Sequence, residues 1–362
     1  MESGLENIVA AETVLSSVDG KRGELIVRGF PLAELAGRRF EAVVALLFDG
    51  FFDDLPGAEG IAARLATARQ RVFAETAAID EHLVSLPTTD GVRALMARLP
   101  DGDDLDAAFE LLAAPAVFMP ALVRRKADLA PVEPREELHH SAAILQMLTG
   151  RTPTPVMAAA LDTYLVTVAD HGLNASTFTA RVVASTRAGL VSSTIAALSA
   201  LKGPLHGGAP GPVLDMLDAI GAPERAEGWI EAALDRGDRL MGFGHRIYRV
   251  RDPRADALKA AVLRLSAEGA IDSQRFALAE GVEAAALAIL KRRKPDRPLD
   301  VNVEFYTALL LEALGVPREA FTAVFAMGRT AGWIAHAREQ VAGGRLIRPQ
   351  SVYVGPRPRA AA

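Results

Sequence analysis

Along most of this chain the apolar residues return at three- and four-residue steps rather than at every second position. Val156, Met157, Leu161, Tyr164, Leu165 and Val168 form one such stripe, which falls on a single face of a helix turning every 3.6 residues. That helix is expected to stop near Gly172, because glycine tolerates a left-handed cap. The same spacing predicts helices over 91–99, 192–202 and 255–265. Lys291, Arg292, Arg293 and Lys294 run into Pro295 and read as a helix C-terminus, where cations complement the dipole. Helical spacing dominates from Phe40 onward. Residues 1–30 lack it: Asp19-Gly20 and Arg22-Gly23 signal turns in irregular chain, and Leu25-Ile26-Val27 suits a short strand. No long alternation supports a major sheet, so the pattern predicts an all-α fold.

Composition sharpens this picture. At 362 residues the chain can form one large or two ordinary domains with a sizeable core. Half the residues are hydrophobic but only 6% are aromatic; Ala and Leu carry the apolar content, which favours helices. A net charge of −5 argues against a dedicated nucleic-acid binder, though locally gathered arginines can still bind anions. There is no cysteine, which excludes disulfides, thiol nucleophiles, zinc-thiolate sites and iron–sulfur clusters. No basic stretch followed by an apolar core opens the chain, and no uninterrupted apolar run reaches the ~18 residues of a membrane span. A soluble, cytoplasmic protein is expected.

Unusual residues concentrate in four segments: 169–181, 203–212, 240–254, and 302–306 with 328–336 and 345–349. Three of the seven histidines sit beside glycine: His171-Gly172, His206-Gly207 and Gly244-His245. Glycine lets backbone turn sharply and approach a ligand, yet each histidine taken alone also fits a helix cap or a satisfied core residue. His82, His139 and His140 read as surface residues, and His336 as a helix residue of unassigned role. No H-x-H, H-x3-H or H-E-x-x-H spacing occurs, so no metal site is expected. The Gly-Phe-Gly of residues 242–244 lacks the third glycine and preceding strand of a dinucleotide fingerprint. Arg251 reads as solvated charge. Arg329 differs, because Phe321, Val324, Phe325, Trp333 and Ile334 surround it in an apolar helix with no carboxylate one turn away. A buried guanidinium needs an anion, and a substrate carboxylate would serve. Asn302 suits an N-cap, which places Glu304 in the first turn of a helix ending near Leu314; by spacing alone the stronger reading is a dipole-compensating acid.

GPLHGGA, GFGHRIYR followed by DPR, NVEFY, and GRTAGWIAH followed by RPQSVYVG stand in this order over most of the chain. NIVAAETVLSSVDG and LIVRGFPLAELA precede them. Together they resemble the citrate synthase family, in particular a short bacterial form. The resemblance implies a large helical domain of residues 1–207 and 316–362. A smaller mobile domain, 208–315, would close over acetyl-CoA and oxaloacetate. It implies a homodimer and no metal or redox cofactor. By motif position it makes His206 the neutral donor to the thioester oxygen, His245 the donor to the oxaloacetate ketone, and Glu304 the base. His171, Arg254 and Arg329 match oxaloacetate-binding positions, Arg348 the arginine given across the dimer, and Gly242, Gly244 and Arg249 candidate CoA contacts. The family usually carries aspartate where this chain has Glu304. An acyl-CoA specificity for propionyl-CoA (2-methylcitrate synthase) and a weakly active regulatory paralogue are the alternatives, since one methylene changes discrimination by only ~1–3 kcal/mol.

Overall fold

The structure, a computed structural model, describes residues 8–206, 210–245, 247–248, 250–295 and 299–356. Arg249 and the expected boundary at 207 and 208 lie outside the described residues. Irregular chain was expected over residues 1–30, apart from the strand at Leu25-Ile26-Val27. Instead, β1 (Ser16–Asp19), β2 (Glu24–Val27) and β3 (Phe30–Pro31) form a small antiparallel sheet in sequence order. Ser16 pairs with Val27 and Asp19 with Glu24, leaving Gly20 to Gly23 as the turn. β1 is polar and half-exposed and β3 is only two residues long, so neither carries alternation that sequence can show, whereas β2 contains the expected Leu25-Ile26-Val27.

The other regular elements among the described residues are helices. α1 (Leu32–Leu35), α2 (Phe40–Phe48), α3 (Ala58–Ala74), α4 (Glu81–Ser85), α5 (Thr88–Met96) and α6 (Leu105–Lys126) come first. α7 (His140–Thr149), α8 (Pro155–Val168), α9 (Ala175–Ala184) and α10 (Leu190–Leu201) follow. α11 (Gly211–Ile220), α12 (Ala226–Asp235), α13 (Pro253–Ala267), α14 (Ser273–Arg293), α15 (Val303–Ala313) and α16 (Phe321–Gly343) complete the chain. The helix starts are written in short polar side chains. Asp104, Thr154, Asn174, Asp252, Asp272 and Asn302 each accept a backbone N–H from the first turn they cap. The expected basic C-terminus is the end of α14, with Lys294 as its cap. α8 ends four residues earlier than Gly172, at Val168. Gly172 does take a left-handed φ of 63°, but inside the loop that leads into α9.

α6 is long and apolar enough by length and composition to cross a membrane, yet its apolar window is mostly buried inside this fold. α16 is buried along almost its whole length and packs against α6, α8, α9 and α10. Gly328 and Gly332, one turn apart, make its crossing with α8 possible. A Cβ on Gly328 would lie 2.7 Å from the Leu165 carbonyl oxygen, and one on Gly332 would lie 2.3 Å from that of Ala169. This backbone-to-backbone approach brings Arg329, Trp333 and His336 against the segment that ends α8.

Two helices borrow caps from a distance. α2 and α7 have no cap of their own; Asp162 accepts the Phe40 N–H at 3.1 Å, and Glu41 accepts the His140 N–H at 2.8 Å. His140 is therefore not a surface residue: it is fully buried, stacked on Phe40 at 5.4 Å. Burial and the neighbouring Arg69 hold its imidazole neutral, well below the usual range. Arg251 is likewise not a free solvated charge, since Asp256, Glu283 and Asp300 all pair with it.

Candidate active site

Three loops and one buried helix converge. The loop from Asp170 to Asn174 leaves α8 beside α16, and Asn174 caps α9 by accepting the Thr177 N–H at 3.1 Å. This start presents the Ser176 N–H to His206 Nε2 at 3.2 Å, and the Ser176 hydroxyl stands 2.9 Å from the same nitrogen. That hydroxyl donates to Asn174 Oδ1 at 2.8 Å and accepts from Trp333 Nε1 at 3.3 Å. Nε2 of His206 is thus the acceptor, which leaves the proton on Nδ1, free to donate. Burial, then the Arg329 charge, lowers the His206 pKa. This imidazole is neutral.

The second loop carries His245. Its Nδ1 accepts the backbone N–H groups of Ile247 at 3.0 Å and Tyr248 at 3.1 Å, so its proton resides on Nε2. Burial and Arg254 push the pKa of His245 down to about 4. Arg254 Nη2 stands 3.1 Å from Nε2, so two N–H donors lie side by side, where one oxygen in front of both could accept from each. Asp252 caps α13 through the Arg254 N–H at 3.0 Å and also grips the Arg254 side chain, Nε at 3.0 Å and Nη2 at 2.8 Å. Burial opposes the Arg254 charge, but Asp252 more than offsets it and the pKa is raised. His171 joins from the first loop, with Nε2 3.0 Å from the Tyr248 hydroxyl and its ring 6.1 Å from that of His245. Burial and the nearby arginines keep it neutral as well.

The third loop delivers Glu304. Gly242 and Gly244 have φ of 83° and 81°, and their turn is stitched to the start of α15. The Gly244 N–H donates to the Asp300 carbonyl at 2.7 Å, the Asn302 N–H to that of Gly242 at 2.9 Å, and Asn302 Nδ2 to that of Gly244 at 2.8 Å. Asn302 caps α15 by accepting the Glu304 N–H at 2.9 Å, as its spacing predicts. A Cβ on Gly242 would sit 2.9 Å from the Phe305 ring. Burial raises the Glu304 carboxyl to about 7, against the pull of Arg254 and Arg239. A carboxyl poised there can take a proton near neutral pH.

From α16 comes Arg329. Its Nε donates to the Val168 carbonyl and its guanidinium lies 4.8 Å from the centre of the Phe325 ring. It is 2% exposed, and among the described residues no carboxylate lies within ion-pairing distance of it. Burial lowers its pKa to about 10, partly countered by the Asp170 charge. Asp170 is itself taken up by Ser16 and by His336 Nε2 at 3.2 Å. His336 Nδ1 accepts from Arg181 at 3.0 Å, so the residue without an assigned role is a buried link holding Asp170 in place.

His171, His206, His245, Arg254, Arg329 and Glu304 thus belong to one cluster, joined by contact or by electrostatic influence. Arg348 does not; it is exposed in the extended segment after α16, whose Ile347 N–H donates to Ser185 Oγ at 3.0 Å. Sequence reasoning missed Tyr248, Asp252 and Ser176. The Asp252-Pro253-Arg254 run was a readable cap signature, with Pro at the first helical position. Nothing local marked Ser176 or Tyr248, because their roles exist only across loops distant in sequence.

The family profile for the citrate synthase C-terminal domain matches residues 4–350. A citrate synthase of Haloferax volcanii is 36% identical over 371 residues, covering 98% of this chain and 96% of its own length. Citrate synthase from Thermotoga maritima shares its structure with a TM-score of 0.84 at 31% identity, over 100% of this chain and 98% of that one. Citrate synthase from Thermoplasma acidophilum, solved as a ternary complex with carboxymethyl coenzyme A and oxaloacetate, gives a TM-score of 0.85 at 27% identity, over 99% of this chain and 97% of that one.

Proposed function

This chain belongs to the citrate synthase family, and on that premise we propose that it is an acyltransferase condensing acetyl-CoA with oxaloacetate and water to give citrate and CoA. The observation that carries the reading is the joining of the Glu304 helix start to the His245 loop: Asn302, which caps Glu304, also holds Gly244 beside His245, and Arg254, which stands 3.1 Å from His245, acts electrostatically on a buried Glu304 carboxyl raised to about 7. The methyl protons of a thioester are far too weakly acidic for a carboxylate acting alone. Glu304 removes one while His206 donates its Nδ1–H to the oxygen on which charge develops. The enol carbon attacks the ketone, whose oxygen takes the Nε2–H of His245. His171, Arg254 and Arg329 hold the oxaloacetate carboxylates and orient the ketone. Water then hydrolyses citryl-CoA. The scheme uses no metal or redox cofactor.

Four further parts belong to the proposal. Residues 1–207 and 316–362 form a large domain and 208–315 a smaller one that closes over the substrates. Two chains pair, and Arg348 completes the partner's site. The turn at Gly242 and Gly244, with Arg249, faces CoA. The protein works in the cytoplasm.

CoA release from acetyl-CoA and oxaloacetate tests the reaction, and a chain without cysteine adds no thiol of its own to the readout. Wild type should turn over, Glu304→Gln and His245→Ala should lose nearly all activity, and Glu304→Asp should fall on the order of 100-fold as its carboxyl retreats. Full activity in Glu304→Gln would move the base elsewhere. Wild type that binds oxaloacetate without turnover would favour a regulatory role, and faster turnover with propionyl-CoA would make methylcitrate the product.

A further inference from the structure

The part of the molecule that the reaction scheme leaves unexplained is a cluster of charges just behind the reacting groups. Arg251 lies at the end of the His245 loop with its side chain less than a third exposed, and three elements share its guanidinium. Nη1 donates to Asp300 Oδ1 at 3.0 Å and Glu283 Oε1 at 3.3 Å, and Nε donates to Asp256 Oδ1 at 2.5 Å. Glu283, buried on α14, also accepts from Lys259 Nζ at 2.7 Å and from the Tyr306 hydroxyl. The Lys259 ammonium stands 5.4 Å from the centre of the Tyr306 ring.

Tyr306 and Asp300 bracket the base. Asp300 precedes it and, through its own carbonyl, holds Gly244, next to His245. Tyr306 follows it by two residues on α15 and is anchored to Glu283. Arg251 is the group that touches both anchors, Asp300 ahead of Glu304 and Glu283 behind it. We propose that Arg251 is a positioning residue for Glu304, acting through Asp300 on one side and Glu283 with Tyr306 on the other. It fixes the start of α15 against the His245 loop, so that base and ketone donor keep one spacing. Without its charge, Asp300 and Glu283 lose their common cation, and a buried carboxylate left short of a partner rearranges. The inference rests on the condensation proposed above.

The test compares full-length Arg251→Gln, Arg251→Lys and Tyr306→Phe with wild type. It measures kcat, KM for oxaloacetate, thermal unfolding, and the isotope effect on kcat with acetyl-CoA deuterated in its methyl group. In Arg251→Gln, kcat should fall on the order of 100-fold with KM for oxaloacetate little changed, because the base is displaced by about 1 Å. The isotope effect should rise, as proton removal becomes the slow step. Arg251→Lys should restore much of kcat, and Tyr306→Phe should move both quantities the same way by a smaller amount. A merely structural ion-pair cluster would lower stability and leave the isotope effect of the folded fraction unmoved, and that result overturns the proposal. If Arg251→Gln does not fold, the other two variants decide by the same criterion. Wild type that releases no CoA overturns the condensation itself and this inference with it, whereas active wild type with unmoved isotope effects sinks the inference alone.

Discussion

At the scale of single residues, the ionisation of Glu304 governs what pH should do. Its carboxyl is lifted from 4.5 to about 7, while burial keeps the three imidazoles neutral. The base works only when deprotonated, so kcat/KM should fall about tenfold per pH unit below about 7, on an acid limb that belongs to one group. The stability effect has the opposite sense. Because the folded pKa lies above the unfolded one, the fold binds a proton that the unfolded chain has released between 4.5 and about 7. Stability from this group is full below that window and declines as pH rises through it. Glu304→Gln should therefore raise Tm relative to wild type at pH 8 and leave it nearly unchanged at pH 4, by calorimetry; equal shifts at both would refute a buried, raised carboxyl. The identity of Glu304 as first-turn residue was legible from Asn302 alone, but its pKa was not, since that arises from what packs around it. Arg251 and His140 show the reverse error: charge and imidazole were read as exposed because a sequence does not reveal three acids or a stacked phenyl ring brought from elsewhere.

At the scale of elements, what could be read was whatever is written locally. Helical stripes and caps placed α5, α8, α10, α13 and α15 within a few residues, because spacing and first-turn hydrogen bonds are properties of short segments. The strand at Leu25-Ile26-Val27 and the turn before it were legible, but β1, β3 and their pairing were not, because those strands are short and carry little apolar alternation. The turn between β1 and β2 seats against the His245 loop, where a Cβ on Gly20 would meet the Ile247 carbonyl oxygen at 2.2 Å. At the other end of the sheet, Ser16 accepts the Gly172 N–H at 2.8 Å, next to His171. The crossing of α8 and α16 offers the sharper test. Gly332→Ala would put a methyl group 2.3 Å from the Ala169 carbonyl, and the two helices have no softer partner to move. A loss of about 1–3 kcal/mol is expected from such overpacking, together with a raised KM for oxaloacetate as Arg329 shifts. Denaturant melts and steady-state kinetics would check both, and a variant as stable as wild type would show that the backbones are not in contact.

At the scale of the whole molecule, the helices from α11 to α15 pack largely on one another, while α13 and α15 also reach α8. Arg318, directly after them, pairs with Asp215 at 2.7 Å and with Asp218 on α11, and Arg275 joins Asp218 to Glu312 at 2.8 Å each. Such partly exposed pairs are worth little individually and are screened by salt; of them, only those of Arg318 link the proposed large domain to the proposed small one. If 208–315 moves as a body, saturating oxaloacetate should compact the protein in small-angle scattering; an unchanged profile would leave the domain proposal without support. The fold class was legible from composition and spacing, but the division into moving parts was a matter of family likeness. One last feature is the exposed extended segment beyond α16, where Leu346, Val352, Tyr353 and Val354 are 57, 67, 69 and 91% open to water and Arg348 sits between them. Such an apolar ribbon is costly to leave wet. If Arg348 serves a neighbour's pocket as proposed, dilution would strip both pockets at once, so a well-folded stock would grow idle as it is thinned and recover when concentrated; activity per chain that does not change on dilution would refute it.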